Sequence, residues 1–158
     1  DIKTNNPTVR IHSSCLTGDL MGSQKCDCGY QLETALNYMS KGKKMNILIY
    51  LNQEGRGLGI HNKIISYNIQ EKGWDTYQAD NILGFSGDER DYKAAAEILK
   101  FFKVKKLNLI TNNPEKVEYL RKNKITVNKM IKIKPGVNSY NKKYLETKKI
   151  IGKHLLNL

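Results

Sequence analysis

Apolar residues recur along the chain at two spacings, which predict alternating strands and helices. The run Asn46–Leu51 is almost continuously apolar, as expected of a strand buried on both faces. Shorter runs predict three further strands, at Thr8–His12, Lys106–Thr111 and Thr126–Ile131. Apolar positions three or four residues apart predict five helices, at Gln31–Lys41, His61–Lys72, Tyr92–Phe102, Glu115–Lys122 and Asn141–Leu156.

Local signals support two of the helix starts. Asp91 is placed to cap the helix over Tyr92–Phe102, and Asn113-Pro114 reads as an N-cap followed by a first-turn proline. In the former helix one apolar face is expected, formed by Ala94, Ala95, Ile98, Leu99 and Phe102.

Alternating strands and helices predict an α/β layered fold, with a sheet flanked by helices in a single domain over residues 1–158. A mixed sheet is favoured over a purely parallel one, because Thr8–His12 lacks an obvious crossover partner. Three long loops rich in glycine and charge, at Leu16–Gln24, Asn52–Ile60 and Asp80–Asp91, are the expected places for a functional site.

Composition narrows the class of protein. With 39% hydrophobic and 27% charged residues, the chain has enough apolar side chains for a core, which argues against disorder. No apolar run approaches the roughly 20 residues of a membrane span. The formal charge of +12 predicts attraction to a polyanion, which could be nucleic acid, an anionic membrane or a phosphorylated small molecule.

The three cysteines are expected to be reduced. The segment Asp1–Pro7 has no apolar stretch typical of a signal peptide, so a cytoplasmic location is expected. An odd number of cysteines in that setting indicates metal ligands, a nucleophile or inert core thiols. Cys26 and Cys28 lie on one short segment, and ten residues separate Cys15 from Cys26. The three could be three of the four ligands of a tetrahedral zinc. His12 could close the shell; buried reduced thiols are the alternative.

Three other segments carry candidate chemistry. The glycine-rich Gln53–Gly59 follows a strand and precedes a helix, where backbone N–H groups can approach a phosphate, although the pattern also fits a plain flexible turn. Asp88–Asp91 offers an acid–base pair around an arginine, or simply carboxylates that complement a helix dipole. Thr111–Lys116 lies between a strand and a helix, where a hydroxyl and a lysine suit a phosphate and a plain N-cap turn is equally compatible.

Taken together and in order, these segments resemble the GTP cyclohydrolase II family of riboflavin biosynthesis. The resemblance rests on these stretches: Val9–Ser13, Cys15–Asp19, Cys26–Gly29 with Gln31-Leu32, Gln53–Gly57, Asp88–Tyr92, Leu109–Pro114, Tyr144-Leu145, Thr147-Lys148 and Gly152–His154.

The resemblance implies an enzyme that opens the imidazole ring of GTP and releases formate and pyrophosphate, leaving a diaminopyrimidinone ribosyl phosphate. It implies that Cys15, Cys26 and Cys28 hold one zinc whose bound water attacks C8 and then the formyl carbon. It also implies that Arg90 is the nucleophile at the α-phosphorus, Asp88 its general base and Tyr67 an aid to ring opening.

For the nucleotide, the resemblance points to eight residues: Arg10, Gln31, Glu54, Gly55, Arg56, Thr76, Thr111 and Lys116. Magnesium is expected to accompany the triphosphate. A homodimer, and no nucleic acid or membrane as partner, are also implied. The family's N-terminal segment is expected to be missing from this chain.

The chain departs from the family pattern at three positions. Ser14 stands where the family usually has Glu, and Lys25 and Asn52 stand where it often has Arg. A missing carboxylate beside a zinc ligand could alter turnover or product. Two alternatives therefore stay open: a paralogue that retains the formyl group or yields GMP, and, more remotely, a non-catalytic basic zinc module that binds nucleic acid.

Overall fold

The computed structural model describes residues 6–42, 45–86 and 88–158. The signal-peptide reading of Asp1–Pro7 thus falls largely outside the described residues. The strands are β1 (Thr8–Ser13), β2 (Asn46–Leu51), β3 (Lys106–Ile110) and β4 (Thr126–Ile131). The helices are α1 (Leu16–Asp19), α2 (Cys28–Ser40), α3 (Gly59–Glu71), α4 (Thr76–Ile82), α5 (Lys93–Phe101), α6 (Pro114–Lys122) and α7 (Lys142–Ile150), with a 3₁₀ turn at Glu54–Gly57 before α3.

The layered α/β architecture is confirmed, but the expected mixed sheet is wrong. The four strands form one sheet in the order β2-β1-β3-β4, and each of the three neighbouring pairs is parallel. A parallel pair needs a crossover of a dozen or more residues, and the stretch 14–45 with α2 supplies it between β1 and β2. The first strand therefore has its crossover partner and occupies the interior of the sheet.

The two faces of the sheet bury different chemistry. Val9 and Ile11 of β1, with Leu107 and Leu109 of β3, belong to one apolar cluster that includes Leu99 of α5 and other residues of α5 and α6. The opposite side chains of β1, Arg10 and His12, lie on the side covered by α2, because successive side chains of a strand alternate between faces. We call these the apolar face and the polar face of β1; beside the polar face, Ala35 and Met39 of α2 form a second apolar cluster with Ile110.

The buried side of α5 differs from the expected one. Ala94, Ile98 and Phe102 were expected inside; Ala94 is exposed, and Ile98 and Phe102 are 38% and 42% exposed. Instead, the buried residues recur at i, i+3, i+4 and i+7, and they are Tyr92, Ala95, Ala96 and Leu99. The large Tyr92 side chain, which is 2% exposed, determines which side of α5 packs against the core.

Two helices, α4 and α7, also differ from what the sequence predicted. The helix α4 was missed, although its cap is legible: the Asp75 carboxylate accepts from Tyr77 N and Gln78 N, and the Gln78 side chain accepts from Asp75 N. The last helix ends at Ile150 rather than Leu156. A Cβ on Gly152 would lie 2.8 Å from Lys148 O, and the tail beyond it instead bonds Leu155 N to Asn112 O at 2.9 Å.

Within the three described stretches, no helix is both long and apolar enough to cross a bilayer. The carboxyl ends of β1, β2 and β3 meet at one edge of the sheet because the strands are parallel. The segments that follow them contain Cys15, Glu54 and Thr111. This edge is where open α/β sheets bind ligands.

Candidate functional site

The three cysteine sulfurs converge at this edge. Cys15 follows β1, and Cys28 begins α2, with Cys26 two residues before it. The three Sγ atoms lie within 4.8 Å of one another, and Cys15 Sγ is 3.6 Å from Cys26 Sγ. Tetrahedral zinc with Zn–S bonds of about 2.3 Å requires S···S separations of about 3.8 Å, so the thiol set fits that ion.

A glycine makes this convergence possible. A Cβ at position 18 would lie 2.9 Å from Cys26 Sγ and 3.0 Å from Cys15 Sγ, closer than a carbon can approach without displacing them. Because Gly18 of α1 has no side chain, the sulfurs of Cys15 and Cys26 can pack directly against this helix.

A lysine on α3 bridges the thiols and a carboxylate. Lys63 Nζ lies 3.1 Å from Cys15 Sγ and donates to Glu54 Oε1 at 2.7 Å. Hydrogen bonds from Cys26 and Cys28, aided by the Lys63 charge, hold the pKa of Cys15 well below its usual range. The hydrogen bond with Cys15, together with burial, raises the pKa of Cys26 to about 11, although the bond with Cys28 opposes this shift.

His12 supports Cys15 from behind and is not placed as a ligand. Its Nδ1 accepts from Arg10 Nη2 at 3.2 Å, and its Nε2 donates to Asp19 at 3.1 Å. Asp19 also accepts from Cys15 N at 3.1 Å and from the Tyr50 hydroxyl at 2.8 Å. With both ring nitrogens engaged, the imidazole orients the Cys15 main chain rather than closing a metal shell.

Arg10 and Gln31 lie beneath the site in a buried chain of polar contacts. Arg10 donates to Ile110 O at 3.2 Å and to Gln31 Oε1 at 3.1 Å. Gln31 Nε2 in turn donates to Asp27 Oδ2 at 2.6 Å, and Lys148 Nζ lies 3.5 Å from the other Asp27 oxygen. These contacts link the polar face of β1 to α2 and α7.

The glycine-rich turn after β2 has a defined backbone conformation and is closely packed. Gly55 and Arg56 both have φ near +60°, and a Cβ on Gly57 would lie 2.9 Å from Glu89 O. This backbone aims Arg56 at α4, where its guanidinium donates to Asp80 Oδ2 at 3.0 Å and to Thr76 Oγ1 at 2.8 Å. The guanidinium also stacks 4.2 Å from the centre of the Tyr77 ring.

Asp88 and Arg90 form a two-pronged ion pair. Arg90 Nε donates to Asp88 Oδ1 at 2.7 Å, and Arg90 Nη2 donates to Asp88 Oδ2. Although burial opposes the charge, the Asp88 carboxylate raises the pKa of Arg90 above its ordinary value. Asp91, the expected helix cap, accepts from Lys93 N at 2.8 Å, one position outside the N-cap Tyr92.

Thr111 and Lys116 sit at the end of β3 and the start of α6. The Thr111 hydroxyl accepts from Asn113 N at 3.0 Å, and Lys116 Nζ donates to Ile11 O at 2.8 Å. Burial, together with the charges of Arg10, Arg90 and Lys148, lowers the pKa of Lys116 well below its usual value. Several basic side chains are thus crowded at this end of the sheet. Among the described residues, Lys116 Nζ bonds to a main-chain oxygen and not to a carboxylate.

One cavity of about 860 Å³, measured with the part open to solvent, joins these groups. Nine of the expected site residues line it: Cys15, Cys26, Cys28, Glu54, Gly55, Arg56, Tyr67, Thr76 and Arg90. The other five expected residues, Arg10, Gln31, Asp88, Thr111 and Lys116, are not on its wall. The structure therefore brings the three cysteines, Arg56 and Arg90 around one cavity.

Several wall residues were not anticipated. On α3 they are Lys63, Ser66 and Gln70, which with the expected Tyr67 recur at i, i+3, i+4 and i+7, and this polar stripe at helical spacing was legible in the sequence. Tyr77 and Asp80 of the missed α4 form the clamp on Arg56. From the C-terminal part come Tyr144, Lys148 and His154, whose place on the wall depends on long-range packing.

Comparison with known proteins gives one consistent result. A sequence model of the family described as GTP cyclohydrolase II matches residues 1–132. A protein named GTP cyclohydrolase-2 from Helicobacter pylori is 50% identical over 152 residues, which are 96% of this chain and 77% of that protein. Proteins of the same name from Campylobacter hominis and Blochmanniella floridana are 51% identical over 149 residues and 46% over 158 residues, covering 75% and 79% of their own lengths.

Proposed function

The chain belongs to the GTP cyclohydrolase II family, and from this we propose that it opens the imidazole ring of GTP and releases formate and pyrophosphate. Membership makes it a GTP-hydrolysing enzyme of riboflavin synthesis. The proposed remaining product is a diaminopyrimidinone ribosyl phosphate. The observation that carries the proposal is the convergence of three cysteine sulfurs on a cavity that also contains arginines suited to a triphosphate.

Cys15, Cys26 and Cys28 would hold a zinc ion with three thiolates, leaving one position open. A zinc held there supplies Lewis acidity and an activated water at neutral pH. Lys63 keeps its ammonium against Cys15 Sγ and so offsets part of the thiolate charge. Asp19 and His12 fix the main chain of Cys15, which holds that ligand in place.

We propose that Tyr67 gives a proton during ring opening. Its hydroxyl lies 3.4 Å from Thr17 Oγ1, and its ring faces Lys25 at 4.9 Å and Lys63 at 6.0 Å. Burial raises the pKa of Tyr67, so the phenol is neutral and remains an O–H donor at physiological pH. We assign it the protonation of the departing ring nitrogen.

We propose that two arginines of the cavity wall bind the triphosphate. The Arg56 guanidinium lies 4.2 Å from the centre of the Tyr77 ring, and the Arg90 guanidinium lines the same cavity. Gly55 and Glu54 also line it, and Arg56 donates to Thr76 Oγ1. Magnesium would accompany the phosphates.

The proposed nucleotide-binding set also includes four residues that do not line the cavity, namely Arg10, Gln31, Thr111 and Lys116. Lys116 and Arg10 now donate to the main-chain oxygens of Ile11 and Ile110. When the nucleotide binds, these two side chains would donate to phosphate oxygens instead of main-chain oxygens. Their hydrogen bonds would become stronger, because the new acceptor is an anion.

For loss of pyrophosphate, we propose that Arg90 attacks the α-phosphorus and Asp88 takes its proton. The pair is already formed through two hydrogen bonds, so the carboxylate is in place before the nucleotide arrives. A P–N bond forms as the P–O bond to pyrophosphate breaks, and water later cleaves the P–N bond.

One observation favours the partial-reaction alternative. Ser14 stands where the family usually has Glu, and its hydroxyl is a buried cavity-side atom that has no hydrogen-bond partner among the described residues. A protein lacking that carboxylate could release pyrophosphate while retaining the formyl group.

Product analysis separates the two. Metal-replete protein is incubated with GTP, and formate, pyrophosphate and the nucleotide product are measured together. The proposal expects equal formate and pyrophosphate, with Cys26→Ser losing formate release and a Gln24→Ser change in the same loop retaining it. Pyrophosphate without formate would establish the partial reaction, and neither product would refute both.

A further inference from the structure

One ionisable side chain on the cavity wall has no place in the networks above. His154 lies in the tail after α7, is 9% exposed and lines the cavity. Among residues 6–42, 45–86 and 88–158, no group forms a hydrogen bond to either of its ring nitrogens. The residue as a whole is buried, but its ring nitrogens are not among the buried atoms left without a partner, so the imidazole edge is open to the cavity and can bond to what fills it.

The position of this imidazole is fixed by the tail around it. His154 N donates to Lys148 O at 3.2 Å, and Leu155 N donates to Asn112 O at 2.9 Å, which ties the tail to the end of β3. Leu156, next along, is 3% exposed and anchors the segment in the interior. The tail thus holds His154 in place on the wall.

The charged groups around His154 are mainly cations from four different elements. Burial, and then the charges of Lys148 on α7, Arg90 before α5, Lys116 on α6 and Arg56 in the 3₁₀ turn, lower the pKa of His154 to about 2. The nearby carboxylates already have partners: Asp88 pairs with Arg90, Asp80 with Arg56, and Asp27 with Lys148. The buried Tyr144 on α7 is neutral, because burial raises its pKa.

We propose that His154 is a substrate-binding residue that contacts the polyphosphate of the nucleotide and takes up one proton from solvent as the polyphosphate binds. This rests on the proposed function. A bound polyphosphate would put several negative charges among these four basic side chains. Those charges would reverse the electric field at the imidazole, and a phosphate oxygen would accept its hydrogen bond. The imidazolium then donates a charge-assisted N–H to that oxygen, and the only bond made is N–H.

This role has a consequence for the reaction. The imidazolium remains beside the phosphates while pyrophosphate departs, where its charge stabilises the negative charge on the leaving group. His12, in contrast, has both nitrogens bonded within the protein, and His61 is exposed on α3 away from the wall. The third histidine, His154, is therefore the one available to the ligand.

Binding of a non-hydrolysable analogue, guanosine α,β-methylene triphosphate, tests the proposal. Affinity is measured by calorimetry from pH 8 to pH 6 in buffers of different ionisation enthalpy, for the full chain, for His154→Asn and for His61→Asn. Asn keeps an N–H donor but does not titrate. The ratio of wild-type to His154→Asn affinity is expected to rise about tenfold over this range, with close to one extra proton bound by the wild type and by His61→Asn.

Equal proton uptake by the wild type and His154→Asn would overturn the inference while leaving the GTP reaction intact, since turnover is assayed separately. Failure of every form to bind the analogue would contradict both. If His154→Asn does not fold, proton NMR of the wild type decides: the His154 imidazole signal is expected to titrate between pH 5 and 8 only with analogue bound. No titration in the complex would reject the proposal.

Discussion

The two faces of strand β1 differ in what they hold and in what each does. Val9 and Ile11 lie in the apolar cluster under α5 and α6, where burial of apolar surface stabilises the fold. Arg10 and His12, one residue away in each case, lie on the polar face and connect to Gln31 and Asp19. The apolar face of β1 therefore contributes to stability, and the polar face holds the main chain of Cys15 through His12 and Asp19.

The largest effect is expected at the ion pair of Asp88 and Arg90, which we propose acts on the α-phosphorus. Asp88→Asn keeps the shape of the pair with Arg90 but removes the base, so pyrophosphate release should fall by about 10³-fold. The thermal midpoint should change little, because Asp88 lies outside the apolar cluster. Asp91→Asn is the matched control and should retain activity; an equal loss in both would contradict the assignment.

On the apolar face the expected effect is on stability. Leu109 is 0% exposed in the apolar cluster, and Leu109→Ala should lower the free energy of unfolding by about 2–5 kcal/mol. Denaturant unfolding measures this, with Leu20→Ala, at a position 77% exposed, as a control with a change below about 0.5 kcal/mol. Turnover of the folded Leu109→Ala fraction at low temperature should match wild type. A large loss there would mean that the two faces are not separable.

Acid should destabilise the protein through a residue on the cavity wall. The pKa of His154 is about 2 in the folded chain and about 6.5 unfolded, so only the unfolded state binds this proton as pH falls below 6.5. Stability is therefore present above pH 6.5 and is lost below it, by about 2 kcal/mol at pH 5. His154→Asn should remove that part of the acid sensitivity in urea unfolding at pH 7 and pH 5. An unchanged pH dependence would indicate that the imidazole is not buried as described.

A local cap gives the smallest expected effect. Asp75 accepts two main-chain N–H groups at the start of α4, so Asp75→Ala should cost about 1 kcal/mol of unfolding free energy. Because α4 holds the Thr76 and Asp80 partners of Arg56, the same change should raise KM for GTP more than it lowers kcat. An effect on kcat alone would place α4 with the chemistry rather than with nucleotide binding.

Sequence patterns predicted the apolar half of the molecule more completely than the polar half. The strands β2 and β4 match their expected bounds. The expected burial of β2 on both faces is wrong, because β2 is an edge strand in which Leu48 and Tyr50 are exposed. The purely parallel pairing was missed, although the helix expected at Gln31–Lys41 lies in the crossover that joins β1 to β2. Of the site, the three cysteines, Arg56 and Arg90 were found through motifs. Lys63 was recoverable from the polar stripe on α3, whereas His154 reaches the wall only through the fold of the tail.

Zinc titration into metal-stripped protein, with formate release from GTP followed, tests directly whether the three cysteines hold a catalytic zinc. Formate release should rise in proportion to added zinc and level off at one zinc per chain, and Cys28→Ser should show neither the rise nor the binding. Formate release at full rate without zinc, or a full zinc equivalent retained by Cys28→Ser, would contradict this zinc site.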